Sequence, residues 1–314
     1  MSTLTSSKMQ RVKTENGGMK LAELKGTFPV LVTPMTENQE IDIQALKRNL
    51  DWYLEIGMPG VCVLGSTGEF SSLSKEERKL IAESALKHID GRMKCIIGTA
   101  AETTKDTIEY TKHAADNGAD AVMIINPYYC LPNEEELIAH YTAVSNTVEI
   151  PIMVYNNPPH SGVDIKPKTI GKLFEIKNVE YIKDASGDLR RISDFRRETQ
   201  DGIKIFCGGE DLTFENFMLG ATGWICVSGN IVPYEAKMIY VYIQSGEIDK
   251  AKEIFNKLYP LLFMLENSNK PLARVKAAMK LLGKDSGPTR LPRLPLTEEE
   301  LEEVKEVMKQ IGKI

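Results

Sequence analysis

A lysine stands at the end of an apolar run in "VEYIKDASGD", and the chemistry it can do is the first question that this sequence raises. The run from Val179 to Ile182 predicts a buried strand that ends in Lys183. An ammonium in an apolar environment loses its hydration, so burial favours the neutral amine, which is a nucleophile toward carbonyl carbon. The alternative is a structural lysine that reaches solvent or pairs with Asp184. Because successive strand residues face opposite sides, we expect Asp184 to point away from Lys183.

Two hydroxyl residues stand between glycines in "GSTGEF", where Gly65 precedes Ser66 and Thr67. Glycines let a ligand approach the backbone closely, and paired hydroxyls with loop N–H groups can hold a carboxylate. A glycine–serine turn without a ligand is the alternative interpretation. Tyr155, in "PIMVYN", and Tyr129, in "NPYYCLP", are candidates for proton transfer, with a buried core tyrosine as the alternative.

Taken together, these residues indicate one kind of chemistry. A carboxylate-binding loop, a buried lysine and a nearby tyrosine are the requirements of Schiff-base chemistry on a 2-oxo acid. The loop holds the carboxylate, the amine attacks the keto carbon, and the hydroxyl moves protons. Glu210 and Asp211, which follow Gly209 in "CGGED", can bind sugar hydroxyls or begin the next helix, where acids suit the helix dipole.

The elements that must position these residues are short apolar runs that alternate with amphipathic stretches. There are eight: "TFPVLVT" (27–33), "GVCVLG" (60–65), "KCIIGT" (94–99), "AVMIIN" (121–126), "PIMVYN" (151–156), "VEYIKD" (179–184), "IKIFCG" (203–208) and "GWICVS" (223–228). Apolar strands separated by helices predict a parallel sheet covered on both faces, and this number of units predicts a (β/α)8 TIM barrel. A doubly wound sheet is the alternative, but the first run lacks the glycine-rich fingerprint of such folds.

The sequence divides into three parts. Residues 1–21 are polar, which predicts a disordered leader or extension with Met19 as an alternative start. Residues 22–232 form the predicted barrel. Residues 233–314 are helical in pattern and predict a barrel-closing helix and a C-terminal helical region, whose usual role is packing or subunit contact.

Composition argues against several classes of partner. The hydrophobic fraction of 42% and the charged fraction of 26% are typical of a soluble globular protein. The net charge of −5 argues against nucleic acid as a partner, and no apolar run approaches the ~20 residues of a transmembrane helix. Five cysteines without a CxxC pair and four histidines without ligand spacing predict free thiols, a cytoplasmic location and no metal site.

Four motifs, "GSTGE", "YNNP", "YIKDASGD" and "GATGWICVSGN", resemble in this order those of the dihydrodipicolinate synthase/N-acetylneuraminate lyase family. The resemblance extends from about residue 22 to "RLP" near the end of the chain. It implies a class I lyase in which Lys183 forms a Schiff base with pyruvate or with the keto group of a longer 2-oxo acid. It implies no metal or organic cofactor, and a homotetramer built as a dimer of dimers.

The resemblance also implies a role for each matching residue. Tyr155 is the general acid/base. Ser66 and Thr67 bind the substrate carboxylate, and Thr67 also joins the proton relay. Tyr129 matches a tyrosine that members of the family lend across a tight dimer interface to the site of the neighbouring subunit.

Further positions bear on the substrate. Ile225 matches the residue whose backbone carbonyl lies near the catalytic centre, and Gly209 with the acids after it matches the place where sugar-acid lyases contact substrate hydroxyls. Dihydrodipicolinate synthases carry an arginine two residues after the proline of the strand-5 motif, where "YNNPPHSG" has His160. Histidine is shorter and cannot form a bidentate pair with a carboxylate. The sequence therefore favours cleavage or dehydration of a hydroxylated 2-oxo acid.

Three alternatives stay open. The first is a 4-hydroxy-tetrahydrodipicolinate synthase that condenses pyruvate with aspartate semialdehyde at an altered carboxylate site. The second is a barrel that binds a phosphorylated ligand through Gly208, Gly209 and Gly229, although Glu210 and Asp211 would repel a phosphate. The third is a protein that binds a 2-oxo acid without catalysis.

Overall fold

The computed structural model describes residues 12–13, 19–20 and 23–314 of the chain. The predicted leader, residues 1–21, lies outside the described residues apart from a short antiparallel pair of backbones, Val12–Lys13 with Met19–Lys20. Each of the eight apolar runs forms a strand. The strands are Gly26–Pro29 (β1), Gly60–Val63 (β2), Lys94–Gly98 (β3), Ala121–Ile125 (β4), Ile152–Asn156 (β5), Val179–Asp184 (β6), Lys204–Cys207 (β7) and Gly223–Cys226 (β8).

The strands form one parallel sheet in chain order that closes on itself. Each strand from β2 to β8 pairs with its neighbour, and β8 returns to β1 with Ile225 opposite Phe28. The circle is completed by a parallel bridge between Val30 and Cys62, with the Leu31 N–H donating to the Cys62 carbonyl at 2.8 Å. The fold is therefore a (β/α)8 barrel with additional C-terminal helices, and the predicted fold class is confirmed.

Helices cover the outside of the sheet. They are Ile43–Ile56 (α1), Lys75–Ile89 (α2), Thr104–Asp116 (α3), Glu134–Ser145 (α4), Pro158–Ser161 (α5), Pro167–Phe174 (α6), Arg190–Glu198 (α7), Thr213–Met218 (α8), Pro233–Gln244 (α9), Ile248–Asn267 (α10), Pro271–Leu281 (α11) and Glu298–Gln310 (α12). A capping box formed by Ser74 and Glu77 starts α2. Among the described helices, none is long and apolar enough to cross a membrane.

The last four helices pack on one side of the barrel. Helix α9 covers β1, where the Thr27 hydroxyl donates to the Ala236 carbonyl at 3.1 Å. Helices α10 and α11 follow and pack near α9 and the turn after β8, and α12 packs on α10 and α11. On α12, Glu302 and Lys305 form an ion pair at 2.9 Å. Met308 is fully buried on this helix.

Candidate active site

Lys183 and Tyr155 lie side by side inside the barrel. They are directly opposite each other in the pairing of β5 with β6, so both side chains leave the sheet on the same face. Lys183 is only 4% exposed, and its Nζ lies 4.1 Å from the centroid of the Tyr155 ring. The ammonium therefore does not reach solvent. It lies over the face of the Tyr155 ring, and the face of an aromatic ring attracts a cation.

Asp184 faces the other side of the sheet, as predicted. Its carboxylate accepts hydrogen bonds from the Asn156 side chain at 2.7 Å and from the Ser186 hydroxyl at 2.6 Å. Burial raises the pKa of Asp184, and these two hydrogen bonds oppose the rise. Within residues 23–314, Lys183 has no carboxylate at salt-bridge distance, so the alternative of a structural ion pair with Asp184 is wrong.

Two buried thiols, those of Cys62 and Cys226, lie near Lys183. The ammonium acts electrostatically on the thiols of Cys62 and Cys226. Burial raises the pKa of Cys62 to about 12, and Lys183 only partly opposes this rise. The thiol is thus neutral at ordinary pH. In the described part of the chain, no cluster of histidine, cysteine and acid side chains is placed to hold a metal ion.

The "GSTGEF" segment forms a short 3-10 turn, Ser66–Gly68, directly after β2. Two glycines are required by close packing. A Cβ at Gly65 would lie 2.5 Å from the Val30 side chain, and one at Gly98 would lie 2.0 Å from the Leu64 carbonyl oxygen. The turn buries Thr67 and leaves Ser66 exposed.

The turn and the tyrosine line the same small cavity at the C-terminal end of the barrel. Gly65 and Ser66 border it on one side and Tyr155 on another, with Gly98 and Ile125 between them. A group held by the turn would therefore lie beside the tyrosine that contacts the lysine. The structure brings together the three parts that the sequence predicted from separate motifs, namely the turn, the tyrosine and the lysine.

A buried ion pair directly after the Ser66–Gly68 turn supports this turn, and the sequence alone did not indicate it. Glu69 follows the turn in a left-handed conformation with φ of 58° and is 0% exposed. Its carboxylate lies 2.8 Å from Nζ of Lys276 on α11, and it accepts the backbone N–H of Arg290 at 2.9 Å. Burial lowers the pKa of Lys276, and Glu69 opposes this shift. The C-terminal region thus reaches the turn that precedes Glu69.

A second polar contact was missed beside Tyr155. The side-chain amide of Asn157 donates to the Tyr155 hydroxyl at 2.6 Å, and its oxygen lies 3.1 Å from Nδ1 of His160. Asn157 is buried, whereas His160 is exposed on the single turn of α5. The stretch "YNNPPH" contains this asparagine, but its residue types point to chemistry only at Tyr155 and His160.

Tyr129 lies far out on the surface. Its side chain is 90% exposed, and the backbone N–H groups of Tyr128 and Tyr129 each donate to the Glu102 carboxylate at 3.1 Å. Leu131 in the same loop is 54% exposed. Within one chain, Tyr129 is therefore not part of the buried cluster around the lysine.

The acids after β7 have different environments. Glu210 is 1% exposed, and its carboxylate accepts the backbone N–H groups of Val227 and Ser228 at 2.6 and 2.9 Å. Burial raises the pKa of Glu210 to about 7, and these hydrogen bonds oppose the rise. Both carboxylate oxygens are thus used to hold the turn after β8. Asp211 lines an open cleft together with Gly209.

Ile225 is fully buried in β8. Its strand neighbours β1 and β7, and the turn that follows the strand is the one that Glu210 holds. Gly208, at the end of β7, packs so tightly that a Cβ there would lie 2.8 Å from the Asp184 carbonyl oxygen, whereas a Cβ at Gly209 would meet nothing within 4 Å. Gly209 therefore borders open space at the rim of the barrel.

Comparison with known proteins gives a consistent result along the whole barrel. The profile of the dihydrodipicolinate synthetase family matches residues 23–311. The chain is 37% identical over 290 residues to the 4-hydroxy-tetrahydrodipicolinate synthase of Syntrophus aciditrophicus, a match that covers 92% of this chain and 99% of the relative. It is 35% identical over 291 residues to the enzyme of the same name from Methanocaldococcus jannaschii, again over 92% of this chain and 99% of the relative.

Solved structures give the same match. The dihydrodipicolinate synthase of Thermotoga maritima has a TM-score of 0.88 at 32% identity and covers 92% of this chain, with 99% of its own chain matched. The dihydrodipicolinate synthase of Acinetobacter baumannii, solved in complex with pyruvate, has a TM-score of 0.88 at 33% identity, over 93% of this chain and 100% of its own.

Proposed function

Because the chain belongs to the dihydrodipicolinate synthetase family, whose members are lyases, we propose that it is a class I lyase in which Lys183 forms a Schiff base with a 2-oxo acid. Enzymes of this family work through a covalent Schiff base between lysine and pyruvate and need no external cofactor. The observation that carries the proposal is the position of Lys183, buried against the ring of Tyr155 at 4.1 Å and without a carboxylate partner among the described residues.

The proposed reaction begins with the binding of the substrate carboxylate. The hydroxyls of Ser66 and Thr67 and the backbone from Gly65 onward hold it at the end of β2. The neutral amine of Lys183 then attacks C2 of the 2-oxo acid. The keto oxygen takes up one proton from the amine and one from Tyr155 and leaves as water, and the protonated C2=N bond of the imine remains beside the Tyr155 phenolate.

Tyr155 moves the protons of this sequence. In the imine of pyruvate, a proton leaves C3 for the tyrosine oxygen, the C–H electron pair forms the C2=C3 bond, and the C=N π pair moves to nitrogen. The resulting enamine carbon either takes up a proton or forms a carbon–carbon bond. Thr67 joins this relay, and Tyr129 of a neighbouring subunit completes it. The backbone carbonyl of Ile225 faces the same centre.

We assign the substrate to hydroxylated 2-oxo acids, which are cleaved or dehydrated with pyruvate as product or core unit. His160 supports this choice because it stands where a synthase has an arginine for a second carboxylate, and imidazole cannot form that bidentate pair. Gly209 and Asp211 line an open cleft at the rim, where a longer hydroxylated chain finds polar partners. Glu210 acts indirectly, through the turn after β8 that its carboxylate holds.

Condensation of pyruvate with aspartate semialdehyde is the second candidate. A specific observation favours it, since the similar relatives carry the name 4-hydroxy-tetrahydrodipicolinate synthase at 33–37% identity. Under this candidate, the second carboxylate is held by groups other than an arginine at position 160. Both candidate reactions form an imine on Lys183. They differ in the substrate that reacts there.

The oligomer and the compartment are parts of the same proposal. We propose a homotetramer, a dimer of dimers, because the loop with Tyr129 and Leu131 exposes apolar side chains that a partner subunit would cover. A monomeric dihydrodipicolinate synthase variant is known among the structural relatives, at 31% identity. We place the protein in the cytoplasm, in keeping with five free cysteines, four of them buried.

Borohydride trapping tests the proposed function. The protein is incubated with pyruvate, with a panel of 2-keto-3-deoxy sugar acids, or with pyruvate followed by aspartate semialdehyde, and then reduced. We expect a stable adduct on Lys183 by intact mass and peptide mapping, and the compound that is trapped and turned over best identifies the substrate class. A folded protein that traps no 2-oxo acid would contradict the proposal and leave a binding protein or a phosphate-binding barrel.

Tyr155→Phe is expected to lower turnover by about 10²-fold or more, because it removes a positioned proton donor and acceptor while keeping the ring against Lys183. The initial rate with the best substrate from the trapping panel is the measurement. Tyr141→Phe is the matched control, since this tyrosine is equally buried but donates to the Ile124 carbonyl on the outside of the sheet. Unchanged turnover in Tyr155→Phe would remove this residue from the acid/base role.

A further inference from the structure

The side chain of Asn157 connects the proposed acid/base to the surface of the barrel. It is 7% exposed, and its Nδ2 and the Tyr155 hydroxyl oxygen are 2.6 Å apart. Its Oδ1 lies 3.1 Å from Nδ1 of His160, which is exposed. A single amide therefore spans the distance between the proposed general acid/base and an exposed imidazole.

An ordinary structural explanation for an asparagine at this place does not apply. Asn157 precedes the short helix α5, where asparagine side chains commonly cap the backbone. Here the Asn157 side chain makes no capping hydrogen bond. The turn is held instead by the Asn157 carbonyl, which accepts the backbone N–H of Ser161 at 2.9 Å and its hydroxyl at 3.0 Å. The amide is left for Tyr155 and His160.

We propose that Asn157 is a positioning residue for Tyr155. His160 acts through Asn157 by fixing the orientation of its side-chain amide, with Nδ2 toward Tyr155. This inference rests on the proposed roles of Lys183 and Tyr155. It assigns the position of His160 a task in proton transfer, in addition to its effect on which substrates fit.

The reason lies in the two ends of the amide. With Nδ2 toward Tyr155, the hydroxyl oxygen accepts a hydrogen bond, and its own proton is free for the substrate. When Tyr155 gives up that proton, the same N–H stabilises the charge on the oxygen, since hydrogen bonds to an ionised acceptor are stronger than neutral ones. With the amide turned round, Oδ1 would accept the tyrosine proton and hold it away from the substrate.

His160 decides between these two orientations. Nδ1 of His160 lies 3.1 Å from Oδ1, and in the proposed arrangement it carries the proton and donates to Oδ1, which places Nδ2 on the side of Tyr155. The other ring nitrogen takes no part in this contact. An amide side chain at position 160 offers an N–H as well and can replace the imidazole, whereas a methyl group cannot.

Deuterium exchange into the methyl group of pyruvate tests the proposal without knowledge of the second substrate. The exchange needs the imine on Lys183 and proton transfer at C3, and NMR follows it in D2O.

We expect Asn157→Leu, which keeps the shape of the side chain, to slow the maximal exchange rate about 10²-fold, in line with the loss of one hydrogen-bond donor to a developing anion. The pyruvate concentration for half-maximal rate is expected to change by less than about twofold, because the carboxylate-binding turn is untouched. Asn157→Asp, which replaces the donor by an acceptor, is expected to be at least as slow.

The His160 variants test the coupling. We expect His160→Ala to slow exchange about tenfold, the value of one hydrogen bond, and His160→Gln to restore it. In the Asn157→Leu background, His160→Ala is expected to have no further effect, because the group through which it acts is gone. An Asn157→Leu protein that exchanges at the parent rate would overturn the inference, and so would equal effects of His160→Ala in both backgrounds.

The parent protein separates this inference from the proposed function. A parent that traps pyruvate on Lys183 and exchanges its methyl protons supports the proposed function, whatever the variants do. A parent that does neither would overturn the proposed function and the inference together. Circular dichroism of each variant shows that a slow rate does not come from an unfolded chain.

Discussion

Replacing Lys183 by arginine is expected to abolish turnover and leave the barrel folded. The guanidinium stays protonated at any working pH, so it cannot supply the neutral amine that attacks a keto carbon. We expect kcat to fall on the order of 10⁴-fold or more, as for the loss of a covalent nucleophile. The steady-state rate and the borohydride adduct are the measurements, and both are expected to disappear together.

The size of arginine calls for a second variant at the same position. Lys183 is 4% exposed, so a guanidinium has little room beside the Tyr155 ring. Lys183→Met keeps the length of the chain and removes the nitrogen, and we expect the same loss of activity with a normal circular dichroism spectrum. Lys204→Arg, on the neighbouring strand β7 with an exposed ion pair to Glu23, is the matched control and is expected to be fully active. An active, folded Lys183→Met protein would contradict the Schiff-base mechanism.

The barrel could be predicted from the sequence because its signals are local. Eight apolar runs with helical patterns between them specify strands that are buried on both faces, and β1, which has only four residues, still pairs on both sides. The orientation of Lys183 followed from the alternation of side chains along a strand, which also placed Asp184 on the opposite face. Both arguments need only the residues within one strand.

The missed contacts are those between residues distant in the chain or within an irregular turn. Lys276 looks like one of several solvated lysines in "ARVKAAMKLLG", and only the fold brings it to Glu69. The sequence predicts Glu210 as a partner for sugar hydroxyls or the start of a helix, because nothing local indicates that its carboxylate turns inward to Val227 and Ser228. Asn157 was overlooked because an asparagine before a proline ordinarily has a role in the turn.

Lys276→Met is expected to be the most destabilising single substitution discussed. The ammonium is 3% exposed, lies 2.8 Å from Glu69, and donates to the carbonyls of Thr33 at 3.0 Å and Pro288 at 2.7 Å. Removing it leaves a fully buried carboxylate whose next cation, the partly exposed Arg293, lies 3.9 Å away, a loss of about 3 kcal/mol in the free energy of unfolding, the lower end of the range for an uncompensated buried charge. Urea unfolding at one fixed protein concentration is the measurement. Lys280→Met, an exposed position on the same helix, is the matched control and is expected to leave the urea midpoint unchanged.

The double variant Glu69→Gln with Lys276→Met separates the ion pair from packing. If an unpaired buried charge causes the loss, removing the second charge is expected to restore more than half of it, because two neutral groups need no counter-charge. Equal instability of the single and double variants would show that shape matters more than charge.

Glu69 follows the Ser66–Gly68 turn directly, so we also expect Lys276→Met to raise the pyruvate concentration for half-maximal exchange more than it lowers the maximal rate. That result would mean that the C-terminal helices hold the carboxylate-binding turn in place, and an unchanged half-maximal concentration would limit them to packing.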